Sequence, residues 1–320
     1  MVWLSGKMDY RTVEEVLVQV GQIEVSDSSA RRQVQVWGQR FQSIAERERI
    51  RATVLPGRWG KPCRDTSVKG RMGVAIDGGM VHILEEGWKE LKIGCLFDVQ
   101  VRPTLNKETG ERVELAHAVN NSYVAHLGGP EVLGQMAWAE ASRRGWERAA
   151  DTQVLGDGAP WIWNVAAEHF YDSHQVVDWY HAAEHLATVA RLLKGEGSVA
   201  CTRWRNDRQT TLFEGHAARI AQELITAAAD HPTVAEALHK EANYLFKNQR
   251  RMKYQEMRED GWAIGSGMVE SAAKQFKARF TGPGMRWSRS GAERLLPVRA
   301  AIMSHRFDEL WPQAYNSPQN

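Results

Sequence analysis

The stretch Val154–Trp163, VLGDGAPWIW, decides how the chain is read. With Thr152 and Gln153 ahead of it, TQVLGD reads as a short strand that ends at Asp157. Gly156 and Gly158 flank the Asp as a turn would require. Pro160 then suits the first position of a helix, and WIWNVAAEHF continues it. A strand that passes through a glycine turn straight into a helix is the building unit of an α/β protein. The Asp is the oddity, because it favours neither a strand nor a packed core.

Working outward, the same alternation recurs. VAIDGGMVHIL (74–84) and KELKIGCLFDVQV (89–101) are Val-, Ile- and Leu-rich runs that predict a hairpin. SYVAHLG (122–128) predicts a third strand, and Pro130–Arg144 a helix. HQVVDWY (174–180) predicts a fifth strand running into HAAEHLATVARLLK. The chain is helical in pattern from there to residue 258, and IGSGMVESAAKQFKARF opens the last major helix. The expectation is a mixed five-stranded sheet with flanking helices, interrupted by a helical insertion at 183–258. The core is therefore divided into a first part at 74–182 and closing helices with a basic C-terminal region at 259–320.

Ahead of the sheet, 1–50 reads as helical. Val13, Val16, Leu17 and Val20 share one helix face, and Ser26 or Asp27 would cap a second helix carrying Arg31 and Arg32. This pair resembles a helix-turn-helix, or else a plain helical hairpin packed on the main domain. Residues 51–73, with Pro56, Pro62 and several glycines among Arg and Lys, read as a basic linker.

Bulk properties exclude several classes. The 320 residues carry a formal net charge of +2, so no global bias toward a polyanion exists. Cys63, Cys95 and Cys201 stand alone, which argues against a disulfide framework or a Cys-rich zinc site and fits a reducing cytosol. The first residues lack the apolar run of a signal peptide, and no run is long enough to span a bilayer. A cytoplasmic, nucleoid-associated protein is expected.

The chemistry lies in three acids. Asp77 and Asp157 each follow a strand and precede glycine, which leaves room for close approach. The carboxyl ends of strands are where open α/β sheets bind ligands. Glu270 falls in the first turns of the last major helix. A lone Asp-Gly is ordinary turn chemistry, but three converging carboxylates suit hard divalent cations. Two such ions would clamp the attacking and leaving oxygens of a phosphoryl transfer. From 271 to 306, eight cations face one acid, Glu293. Lys274 and Lys277 lie at i+4 and i+7 from Glu270, on its helix face. With Arg279, Arg286 and Arg289 they form an expected DNA-binding strip. Trp161, Trp163, Trp179 and Trp204 read as core. Trp287, in the basic GMRWSR, reads as a platform for a flipped or frayed base.

Four ordered motifs carry a resemblance across nearly the whole chain. They are VAIDGGMVHI with GWKELKIG, LGDGAPWIWNVAAEHF, VVDWYHAAEHL, and IGSGMVESAAKQFKAR with GPGMRWS. Together they resemble bacterial insertion-sequence transposases of the Kra type, allied to the Mutator-like group. The resemblance implies an RNase H-like fold with an Asp-Asp-Glu triad at Asp77, Asp157 and Glu270. It implies Mg²⁺, with Mn²⁺ as a substitute, and action as a homodimer or higher assembly on DNA. Its Asp-x-x-His motif matches Asp178 and His181, with Asp178 supporting the site and His181 contacting the scissile phosphate or a flanking strand. Relatives carry more sequence ahead of the helix-turn-helix-like segment, so reduced end recognition is expected.

Two other readings compete, besides a stand-alone nuclease or resolvase of the same fold. HAAEH (181–185) matches the inverted zinc-peptidase pattern, with His181 and His185 on zinc, Glu184 as base and Glu259 as a further ligand. A non-catalytic, decayed or co-opted DNA-binding protein is the other.

Overall fold

The computed structural model describes residues 1–53, 70–105, 110–282 and 285–317. Most of the expected basic linker, 54–69, lies outside the described residues. Of the remainder, 51–53 close a helix and 72–73 open a strand.

Three helices come first: α1 (Val2–Lys7), α2 (Tyr10–Gln19) and α3 (Asp27–Thr53). Asp9 caps α2, accepting from the Thr12 N–H at 3.0 Å and the Thr12 hydroxyl at 2.7 Å. Of the two expected caps for α3, Ser26 does the work, since its Oγ accepts from the Ser29 N–H at 3.3 Å. The strands are β1 (Met72–Ile83), β2 (Gly87–Leu105) and β3 (Arg112–Leu127), followed by α4 (Pro130–Arg144), β4 (Thr152–Gly156), α5 (Pro160–His169) and β5 (His174–Val177). The helical insertion comprises α6 (Trp179–Lys194), α7 (Val199–Phe213), α8 (Ala217–Asp230), α9 (Ala235–Asn248) and α10 (Tyr254–Glu259). Three helices close the chain: α11 (Gly267–Phe280), α12 (Arg289–Met303) and α13 (Phe307–Tyr315).

The expected mixed sheet is present, with five strands in the order β3-β2-β1-β4-β5. β1, β2 and β3 pair antiparallel, while β4 and β5 pair parallel on the other side of β1. All five residues of β4 and the first five of β1 are buried. Successive buried residues point to opposite faces of a strand, so both faces are covered here. One boundary differs from expectation. The fifth strand stops at Val177, and Trp179 and Tyr180 belong to α6 rather than to the strand. Asp178 causes the change, because its carboxylate accepts from the His181 N–H at 2.8 Å and so starts a helix.

The N-terminal helices are part of the main body. α3 runs along α12 and α4, and its Val34 joins the sheet's core. Phe41 anchors a smaller satellite core with Ile302 and Leu310, stacking on Phe307 at 5.5 Å. The N-terminal helices thus pack on the main body. Phe41→Ala is expected to lower the unfolding free energy by about 3–5 kcal/mol. A denaturant titration with an unchanged midpoint would show that α3 is not seated on this core.

Candidate active site

Strand register brings Asp77 and Asp157 to one place. β1 and β4 pair in parallel from Met72↔Thr152 to Ala75↔Leu155. Two residues further along each chain are Asp77 and Asp157, so the same register sets them level at the carboxyl end of β4. Asp77 does not end its own strand. It pairs with Ile93 in mid-β1, and β1 continues to Ile83 against β2, beyond the end of its pairing with β4. Asp77 is thus free on the side where its parallel partner has stopped.

Local backbone orients both carboxylates. Gly78 N–H donates to Asp77 Oδ1 at 2.7 Å, and Ala159 N–H donates to Asp157 Oδ1 at 2.7 Å. Burial raises the Asp77 pKa above the ordinary Asp value. The Gly78 N–H pulls it down, the charge of Asp157 raises it, and His181 and Lys277 oppose the rise. The two acids and the two basic groups therefore share one electrostatic environment.

The third acid arrives from the far end of the insertion. Glu270 lies in the first turn of α11, and Ser266 Oγ is 3.3 Å from its Oε1. Ligand atoms of Glu270, Asp178 and His181 lie within 4.8 Å of one another. Among the described residues this is the set of three that converges so closely. Asp77, Asp157 and Glu270 do not reach that spacing by themselves, and His181 links the two sets. Asp178 is fully buried, with one oxygen on the His181 N–H and the other on the Ser266 N–H. With both oxygens held by backbone, its carboxylate orients the site.

Two of its companions were not legible in sequence. Tyr244, on α9, donates its hydroxyl to the Asp157 carbonyl at 2.9 Å across 87 residues of chain. Burial first, then the charges of Asp157, Asp178 and Glu241, hold its pKa well above the usual tyrosine range. The Tyr244 ring also lies on Gly158, whose φ of +100° any side chain would resist. No local signal marks a Tyr on an amphipathic helix as a contact of a distant loop. Glu90 on β2 is the other, with its carboxylate over Gly78 and paired to Lys92.

Two members of the basic strip are enclosed. Arg279 is only 2% exposed, donates to the Ser5 carbonyl at 2.7 Å and lies between the rings of Tyr10 and Trp287. Trp287 is 6% exposed, and its indole N–H goes to the Phe280 carbonyl. Neither can serve as the expected DNA contact, because packing has enclosed both. Arg289 grips Glu86, holding that carboxyl down to about 2. Lys274 and Arg286 remain exposed, and Lys277 is half-buried. Lys277 crosses β1 at Gly79, where any Cβ would meet its side chain at 2.6 Å. The four tryptophans expected in the core are half-buried or buried.

The peptidase set is not assembled. His185 Nδ1 pairs with Glu241 at 2.5 Å and its ring stacks on Tyr244. Glu184 is exposed, and Glu259 is exposed and bonded to Gln255.

What stands here is an α/β protein with a cluster of acids and one histidine at the carboxyl end of its central parallel strands. No protein-family model and no curated protein matches the chain.

At neutral pH an ionised, partly desolvated Asp77 costs stability. Its raised pKa means the folded chain holds that proton to higher pH than the unfolded chain does. This group's contribution to stability therefore falls as pH climbs from the ordinary Asp value through the raised one. Asp77→Asn is expected to raise the melting temperature at pH 7 in metal-free buffer. It should also flatten the pH dependence of melting across the acidic range. A lower melting temperature for this variant would show that Asp77 is not electrostatically frustrated.

Proposed function

We propose that this chain is a DDE transposase with an RNase H-like core, which cleaves DNA and joins the strands of an insertion sequence. The observation that supports the reading most is the level placement of Asp77 and Asp157, with His181 near Asp77 and Glu270 near His181. The motif resemblance selects phosphoryl transfer from the chemistries such a cluster would serve.

The donor set suits a divalent cation. Asp77 is a carboxylate disfavoured by burial and by the like charge of Asp157, and a bound cation removes both penalties. Asp77, Asp157 and Glu270 would hold Mg²⁺, or Mn²⁺ in its place, through hard oxygen donors. When bound, such ions activate the attacking oxygen and stabilise the leaving one. The residues do the rest. Asp157 is aimed by the Ala159 N–H and by Tyr244 on its carbonyl. Asp178 fixes the first turn of α6, and with it the position of His181, which would meet the scissile phosphate or its flanking strand. Lys277 brings a positive charge close to Asp77, where a DNA backbone would pass. Exposed Lys274 and Arg286 extend that path, and a homodimer or larger assembly on paired ends follows from the resemblance. No described helix is long and apolar enough to cross a membrane.

Asp157→Asn is expected to cut Mg²⁺-dependent DNA cleavage by about 1000-fold or more, the loss of several kcal/mol of charge stabilisation. DNA binding should hold or tighten, because one negative charge near phosphate is gone. Cleavage at the wild-type rate would sink the reading. Lys274→Ala should weaken DNA binding and reduce the slope of log affinity against log salt by about 1. An unchanged slope would remove Lys274 from the phosphate path.

A further inference from the structure

A groove of about 500 Å³ opens beside the acidic cluster, between the outer part of β3, the start of α6, the end of α7, α10 and the segment leading into α11. Its volume lies in the range of small-ligand pockets, about 300–1,000 Å³. Trp179, Tyr180, Phe213 and Met268 give it apolar and aromatic walls, and Arg258 and His117 give it polar ones. No carboxylate is among its described lining residues.

Three features make the groove continuous with the site. Tyr180 stands between Asp178 and His181 in sequence and is 65% exposed at the start of α6. Gly265 lies under its ring, where a Cβ would meet Tyr180 at 3.0 Å. Gly265 and Gly267 line the groove, while Ser266 between them binds Asp178 and approaches Glu270. A strand whose phosphate reached Glu270 and His181 would therefore deliver its neighbouring nucleotide to Tyr180.

We infer that the groove is a subsite for an unpaired nucleobase flanking the scissile phosphate, stacked on Tyr180 with its own phosphate near Arg258. The inference rests on the transposase reading and names the form of DNA that reading would use at this site. The wall chemistry matches a nucleotide, with an exposed π-face for the base and a cation for the phosphate. Arg258 lies over the Phe213 ring at 5.4 Å, which holds its guanidinium at the groove's edge. Trp287, read from sequence as the base platform, is enclosed, whereas Tyr180 is open and next to the acids.

The test uses the full chain and a short single-stranded oligonucleotide carrying 2-aminopurine, whose fluorescence is quenched on stacking. Wild type and Tyr180→Phe are expected to quench it. Tyr180→Ala should lose the quench and bind about 5- to 100-fold more weakly, as expected for one stacked base. Its salt slope should not change, because a phenol neutralises no phosphate. Arg258→Ala should instead reduce the slope by about 0.7. Tyr180 is exposed, so the Ala variant should melt as the wild type does, which separates lost stacking from lost folding. Wild-type quenching and affinity in Tyr180→Ala would overturn the subsite, as would binding of apolar peptide in place of the oligonucleotide. Full quenching without Mg²⁺-dependent cleavage by the wild type would overturn the transposase reading alone. Cleavage without quenching would overturn the subsite alone.

Discussion

The Asp178 carboxylate accepts from the His181 N–H at the start of α6 and from the Ser266 N–H ahead of α11, the second donor lying 88 residues along the chain, beyond the helical insertion. An ionised group at zero exposure is costly unless charge-assisted hydrogen bonds replace its water. Both oxygens have such a bond, so the constraint is satisfied only when the insertion leaves and rejoins the sheet at this spot. His181 and Glu270 follow from it, the first supplying one of the two contacts itself and the second lying a single turn after the Ser266 contact. The insertion can vary in length or packing without moving those two side chains, provided its ends return to Asp178.

A second tie runs from the body of the insertion back to the sheet. Tyr244 reaches from α9 to the Asp157 carbonyl and rests on Gly158, while His185 packs against the Tyr244 ring and pairs with Glu241. The residues that resemble a zinc-peptidase motif in one dimension are thus divided between two tasks. His181 faces the acids. His185 supports the tyrosine that steadies the Asp157 turn. An i, i+4 spacing places two side chains on one helix face but does not say that one object lies opposite both.

Much of the fold was legible because its signals are local. The boundaries of α4 agree with the sequence reading, since Pro130 starts it and Gly145 ends it in the left-handed region. The strand–turn–helix at 152–169 was readable for the same reason. Arg279 and Trp287 were misread as surface because charge in sequence carries no information on depth. Arg279 and Arg299 are enclosed by backbone carbonyls of the N-terminal helix, which lies about 270 residues or more away in the chain. Arg306 is bound to Glu48, Glu140 and Glu309, so its charge is spent on packing α13 against α3 and α4.

The sequence by itself determined the class of fold, and it singled out Asp77, Asp157 and Glu270 as candidates, because periodicity, glycine turns and helix starts are written in neighbouring residues. Tertiary structure alone decided how those acids meet. The parallel register of β1 and β4 sets Asp77 level with Asp157, although Asp77 lies within a longer strand than its surroundings suggested. The Asp178 bridge brings Glu270 to His181, and packing hides Trp287 while leaving Tyr180 open. Register, burial and long-range hydrogen bonds depend on which segments become neighbours in space, and that is settled only when the whole core closes.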